Sequence, residues 1–149
     1  MLDRKRRVAF LVTMLLLSAC GSESGDRKEK ETFPLTGEVY VDGEPVENLE
    51  VRCHDQKGLD KNNPTSSGSY TDAEGKFEIS TYKSGDGVPE GEYALTFTWR
   101  EMILMGGNRD GVPDKLNGRY SDPATSTVKV SVKKGQPADD LGRIDLTTK

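Results

Sequence analysis

The sequence predicts an all-β domain, an antiparallel β-sandwich of seven short strands, on three observations. From Leu35 onward apolar side chains recur at every second residue, the spacing that places them on one face of a pleated strand and leaves the other face polar. The runs are short and separated by turn-forming residues. No stretch shows the spacing of an amphipathic helix. Two sheets built from such strands can share their dry faces, which is the sandwich arrangement.

The first run is Leu35–Val41, followed by Asp42-Gly43 and then by residues 49–53. Asp-Gly supplies the positive φ values of a two-residue hairpin turn, while Glu44-Pro45 points to a longer connection between these two strands. A short segment around Ser69-Tyr70-Thr71 leads into Asp72-Ala73-Glu74-Gly75, after which Phe77 and Ile79 alternate with Glu78 and Ser80. Residues 85–91, with three glycines and a proline, read as a loop. It ends at residues 93–99, where Tyr93, Leu95, Phe97 and Trp99 are the large apolar positions. Val128, Val130 and Val132 form the sixth run, and Ile144 and Leu146 mark the seventh, beyond Lys133-Lys134-Gly135. Prolines fall outside these runs and glycine enters them only at Gly37 and Gly142, as the turn chemistry requires. From Cys20 onward Leu, Ile, Val and Phe number 23 in 130 residues, a thin core, so the shared phase of the runs is the argument for burial.

The N-terminus has a different character. Arg4-Lys5-Arg6-Arg7 precede the apolar residues 8–17, a stretch shorter than the roughly 20 residues a spanning helix needs. Leu17-Ser18-Ala19-Cys20-Gly21 follows and resembles the bacterial lipobox, in which a peptidase cuts before a cysteine whose thiol carries a diacylglyceryl group. Cys20 is therefore the expected lipidation site. Several acyl chains there would hold the protein on a membrane, since each buried CH2 contributes about 0.8 kcal/mol. The expected organisation is a lipoprotein signal peptide over 1–19, a lipidated N-terminus and flexible linker over 20–33, and the β-sandwich over 34–149. Gly21-Ser22 stand where a retention aspartate would sit, which leans towards the outer membrane of a bacterial envelope, with the domain facing the periplasm or exterior.

Without residues 1–19 the chain holds 17 Lys+Arg against 24 Asp+Glu, a net charge of −7, which argues against nucleic acid as a partner. Residues 21–32 offer no apolar side chain and read as a solvated, mobile tether.

Gly37-Glu38-Val39 with Asp42-Gly43-Glu44-Pro45-Val46, then Thr71-Asp72-Ala73-Glu74-Gly75-Lys76-Phe77, then Gly87-Val88-Pro89-Glu90-Gly91-Glu92-Tyr93 together resemble the transthyretin-like, carboxypeptidase-regulatory-like domain of small bacterial lipoproteins. The resemblance implies a seven-stranded sandwich with Greek-key connections, and little about activity, because such domains accompany many unrelated functions. Each motif also has a physical reading. Asp72 is expected to cap backbone amides in a turn closed by Gly75, and Tyr93 to bury its ring with its hydroxyl on nearby backbone, as in a tyrosine corner. That family includes a hydrolase of 5-hydroxyisourate with several histidines and a C-terminal Tyr-Arg-Gly-Ser. This chain has one histidine and ends Asp145-Leu146-Thr147-Thr148-Lys149, so the activity is not carried over.

Catalytic constellations are scarce. His54 is the sole histidine and no Gly-x-Ser-x-Gly occurs, against a serine triad. Cys53 shares the parity of Leu49 and Val51 and is expected inside the sandwich as an inert thiol, while His54 beside it should face the opposite way. Too few His and Cys residues are present for an ordinary zinc site. Residues 100–124 form a long loop whose Met102-Ile103-Leu104-Met105 run is expected to cover one end of the core or prolong the Tyr93 strand or, less favoured, to meet a partner. Asn108-Arg109-Asp110-Gly111-Val112-Pro113-Asp114 resembles a fragment of a calcium loop, but the positions of both obligatory carboxylates hold Gly106 and Asn117, so solvated turns are expected. No cofactor, metal or catalytic residue is expected. The function read from the sequence is a non-catalytic accessory or binding module with a protein or glycan partner at its loops. The alternative is a cell-envelope spacer without a specific ligand.

Overall fold

Ten strands form among the described residues, 28–101, 111–137 and 139–149, of the computed structural model. They are β1 Thr32–Phe33, β2 Leu35–Val41, β3 Glu44–Pro45, β4 Glu50–Asp55, β5 Ser67–Tyr70, β6 Lys76–Glu78, β7 Val88–Pro89, β8 Gly91–Thr98, β9 Lys129–Val132 and β10 Asp139–Leu146, with no helix. Every run expected from alternation is a strand. Three two-residue strands are additional, and two of them hold Pro45 and Pro89, residues that only short or edge segments accommodate.

Strand phase becomes burial as the physics requires. Leu35, Val39 and Val41 of β2 meet Val51 of β4, Phe77 of β6, Tyr93, Leu95 and Phe97 of β8, Val130 and Val132 of β9, and Ile144 and Leu146 of β10 in one core cluster. One sheet runs β5-β4-β8-β9, antiparallel throughout. In the second, β2 has β10 on one edge, while its other edge is shared by β3, opposite Tyr40 and Val41, and β6, opposite residues 36–38. The Gly37–Phe77 pair explains a glycine in mid-strand: a Cβ at Gly37 would stand 2.7 Å from Phe77 Cζ, so the ring occupies the space a side chain would need.

Three expectations are corrected. β2 does not form a hairpin with residues 49–53. Asp42 and Gly43 take φ of 52° and 92° in a two-residue turn that returns the chain as β3, and the chain then crosses to the other sheet before β4. Nor is the pairing antiparallel throughout, because β10 lies parallel to β2. Residues 85–91 are also more than a loop, since Val88 pairs with Phe33 and Pro89 with Thr32. Gly87 (φ +84°) makes that possible, for a Cβ there would collide with the Phe33 carbonyl. Thr32 thereby leaves the tether, as does Lys30, whose ammonium pairs with Asp60 at 3.0 Å and whose backbone N–H donates to the Tyr82 hydroxyl at 3.1 Å.

The turns behave as read. Asp72 Oδ1 accepts from the amides of Glu74 (3.0 Å) and Lys76 (2.8 Å), and Gly75 takes a φ of +78°. Tyr93 is 5% exposed and donates its hydroxyl to the Pro89 carbonyl at 2.9 Å. Asp86 does similar work in the loop before β7. Burial alone would raise its carboxyl pKa, yet the amides of Thr81, Tyr82 and Lys83 hold it below the usual value.

The registers define two ends. Leu35 lies opposite Asp139, Tyr93 opposite Asp55 and Gly91 opposite Val132, so residues 28–34 enter at the end that carries residues 56–66, 81–87 and 133–137. The other end carries Asp42-Gly43, residues 46–49, the Asp72–Gly75 turn and residues 99–101.

Candidate functional site

On β4, Val51 faces the core and Arg52 and His54 face outward, as alternation demands. Their neighbours on β8 are Ala94 and Thr96, opposite His54 and Arg52 respectively. Lys129 of β9 lies opposite Ala94. Ala94 and Thr96 should be wet by their parity, yet they are 2% and 5% exposed. The outer face of this sheet is partly covered rather than open, by residues 56–67 on one side and Pro123-Ala124 on the other, leaving a cleft of about 650 Å3. Lys30, Leu59 and Asp60 form part of its rim.

The polar groups of the cleft are largely engaged. His54 Nε2 stands 2.8 Å from Thr96 Oγ1. Burial, and then the Arg52 charge, lower the imidazole pKa, which favours the neutral ring at pH 7. Arg52 pairs with Glu50 at 2.7 Å and Lys30 with Asp60. Cys53 packs against the core on the expected side, though it is only half-buried and borders the cleft. Burial pushes its thiol up to about 12, so at neutral pH it is protonated and a poor nucleophile. Among the described residues no group of three His, Cys, Asp or Glu side chains is placed to hold a metal ion. The arrangement offers a recess with a small-residue floor, one fixed imidazole and a charged rim, suited to shape and hydrogen-bond recognition.

Other sequence-predicted positions fall elsewhere. Asp114, from the calcium-like fragment, accepts from the amides of Trp99 and Leu116 through Oδ1 (2.9 and 3.0 Å) and of Gly118 through Oδ2 (2.9 Å). Its carboxylate organises the chain. Leu116 is wholly buried, Lys115 N donates to the Trp99 carbonyl just past β8, and the Tyr120 carbonyl accepts from Phe97 N on β8. This part of the loop thus covers the core and completes the edge of β8. Asn108-Arg109-Asp110, Met102-Ile103-Leu104-Met105, the apolar residues 8–17 and Cys20 lie outside the described residues. Among those described, no helix is long and apolar enough to cross a membrane.

The cleft itself was missed by sequence reasoning. Its signal was present in the later part of β8, where the outward positions after Glu92, namely Ala94, Thr96 and Thr98, carry no charge, unusual for a face left in water.

No family model matches the chain and no curated protein matches it. Among solved structures, it is similar to a 9R-lipoxygenase from Cyanothece PCC8801, at 17% identity and a TM-score of 0.41, over 80% of this chain and 18% of that one. It is also similar to the dioxygenase domain of a dioxygenase carbohydrate-binding protein fusion from the cellulolytic bacterium Streptomyces sp. SirexAA-E, at 13% identity and a TM-score of 0.36, over 82% of each chain. The chain spans under a fifth of the lipoxygenase. Likenesses this slight carry no argument about activity.

Proposed function

We propose that this protein is an extracytoplasmic lipoprotein, anchored to a bacterial membrane through acyl chains on Cys20, whose transthyretin-like Greek-key sandwich serves as a non-catalytic binding module. The outer membrane is the favoured residence, with the domain facing the periplasm or exterior. The sandwich reading draws on the seven strands of three or more residues, β2, β6 and β10 in one sheet and β5, β4, β8 and β9 in the other. The observation that carries the binding role is the cleft over β4 and β8, built on rigid strands and ringed by ion-paired side chains. Among the described residues its lining holds no Phe, Tyr or Trp, hence no platform there for stacking a sugar ring, and a protein segment is the favoured partner.

Two measurements test this. Mass spectrometry of the mature N-terminus should find an acylated Cys20, and Cys20→Ala should abolish both the acylation and the membrane fractionation. Capture from detergent-solubilised membranes should yield a partner that is lost with the cleft-rim pair Ala124→Arg and Lys129→Glu. A partner retained by that variant would move the contact elsewhere. No partner at all would favour the spacer. Deleting residues 100–124 is unsuitable, because Leu116 and the Asp114 bonds belong to the folded core.

A further inference from the structure

We propose that residues 57–61 form a second, non-covalent contact with the bilayer surface, in which Leu59 enters the headgroup region between Lys57 and Lys61. The inference rests on the anchoring of Cys20 and deepens it.

Leu59 is 67% exposed, and among the described residues only it and Tyr70 are large hydrophobic side chains left in water. The loop is built to hold it there. Gly58 N donates to the Asp55 carbonyl at 3.0 Å and Gly58 takes a φ of +85°, closing a turn just before Leu59. Asp60, just after it, is fixed by three groups: its Oδ1 accepts from the amides of Asn62 and Asn63, and its Oδ2 takes the Lys30 ammonium. With both neighbours pinned, the leucine is held exposed at the rim of the cleft. Lys57 and Lys61 are exposed and make no ion pair among the described residues. Their long stems can lie along acyl chains while the ammonium groups reach lipid phosphates.

The course of the chain selects the bilayer as the occupant. The Lys28 carbonyl accepts from Asn63 Nδ2 at 2.8 Å, so the tether leaves the fold from this very loop. Seven residues lie between Cys20 and Lys28, eight Cα–Cα steps with a reach of at most about 29 Å even when fully extended. The anchored end therefore stays within that distance of the headgroups, whereas the opposite end lies a further eight-residue strand away, about 26 Å. A lone exposed leucine binds membranes weakly in free solution. Tethering makes its insertion intramolecular, and a lipid chain plus a second signal is the combination that gives stable attachment.

The test uses the lipidated full chain in vesicles of phosphatidylethanolamine and phosphatidylglycerol with brominated acyl chains. The native Trp99, at the far end, should be quenched by less than a tenth. The emission added by Leu59→Trp should be blue-shifted and quenched at least twofold, and Lys57→Glu with Lys61→Glu in that background should halve the quenching. Protein that floats with the vesicles while the indole at position 59 stays unquenched overturns the contact and leaves the anchor standing. Quenching indifferent to both lysine changes overturns their role. Chain that carries no lipid and fails to float removes the anchor and this inference together.

Discussion

Thr71→Val changes one hydroxyl to a methyl at nearly constant volume, and the structure assigns it a large effect. Thr71 is 3% exposed. Its Oγ1 donates to the Val46 carbonyl at 2.5 Å and accepts from the Leu49 amide at 3.0 Å, while its own N–H and C=O bond to Leu49 O and Asn48 N. One residue thus ties the crossing between the sheets, residues 46–49, to the turn that precedes β6. Valine would leave the Val46 carbonyl and the Leu49 amide without that partner where both residues are at most 6% exposed. Each stranded group costs about 1–3 kcal/mol, and with partial relaxation the sum is about 3 kcal/mol. In a domain of this size that corresponds to a fall in Tm of roughly 10 °C. Urea unfolding monitored by Trp99 fluorescence should show a lower midpoint with an unchanged slope. Thr71→Ser, which keeps the hydroxyl, should lose only about 1 kcal/mol. A valine variant within 0.5 kcal/mol of the parent, or a serine variant as damaged as valine, would refute the assignment.

Gly37→Ala should destabilise the domain by about 1–3 kcal/mol through its clash with the Phe77 ring, and Phe77→Leu should relieve much of that cost in a double-mutant cycle. Raising pH should weaken the fold from about pH 9 upward. Cys53 ionises near 9 when unfolded but is pushed to about 12 when folded, so the stabilisation is complete below 9 and is lost as pH climbs towards 12. The slope is at most about 1.4 kcal/mol per pH unit, and Cys53→Ala should flatten it in denaturant titrations at successive pH values. A thiol reagent at pH 8 should label Cys53 at least a hundredfold more slowly in the folded chain than in guanidinium. Asp114→Ala should cost about 2 kcal/mol by releasing three amides, and millimolar Ca2+ should leave the Tm of the parent unchanged within 1 °C. A rise with Ca2+ would make this loop a metal site after all.

Much of this was legible before any fold was known. The burial of Val51, Phe77, Leu95 and Val130, at 0, 2, 0 and 9% exposure, follows from a two-residue period that acts within each strand. The Asp72–Gly75 turn and the Tyr93 hydroxyl were equally readable, because cap and acceptor lie within four residues of each other. The candidate site was not. His54 was visible as the sole histidine, but Lys30, Thr96 and Ala124 join its cleft from distant parts of the chain, and no local pattern encodes that meeting.

By itself, then, the sequence determined where strands start, which side of each is dry and how the turns close, since those depend on neighbours a few bonds away. Only the tertiary structure decided that β10 would join β2 in parallel, that β3 and β6 would share one edge, and that residues 56–67 would fold over the outer face of β4 and β8. Alternating strands offer many edges of nearly equal local preference. The choice among them rests on contacts such as Gly37 under Phe77, Gly87 against Phe33 and Thr71 on Val46, which come into being only when distant segments of the chain are packed together.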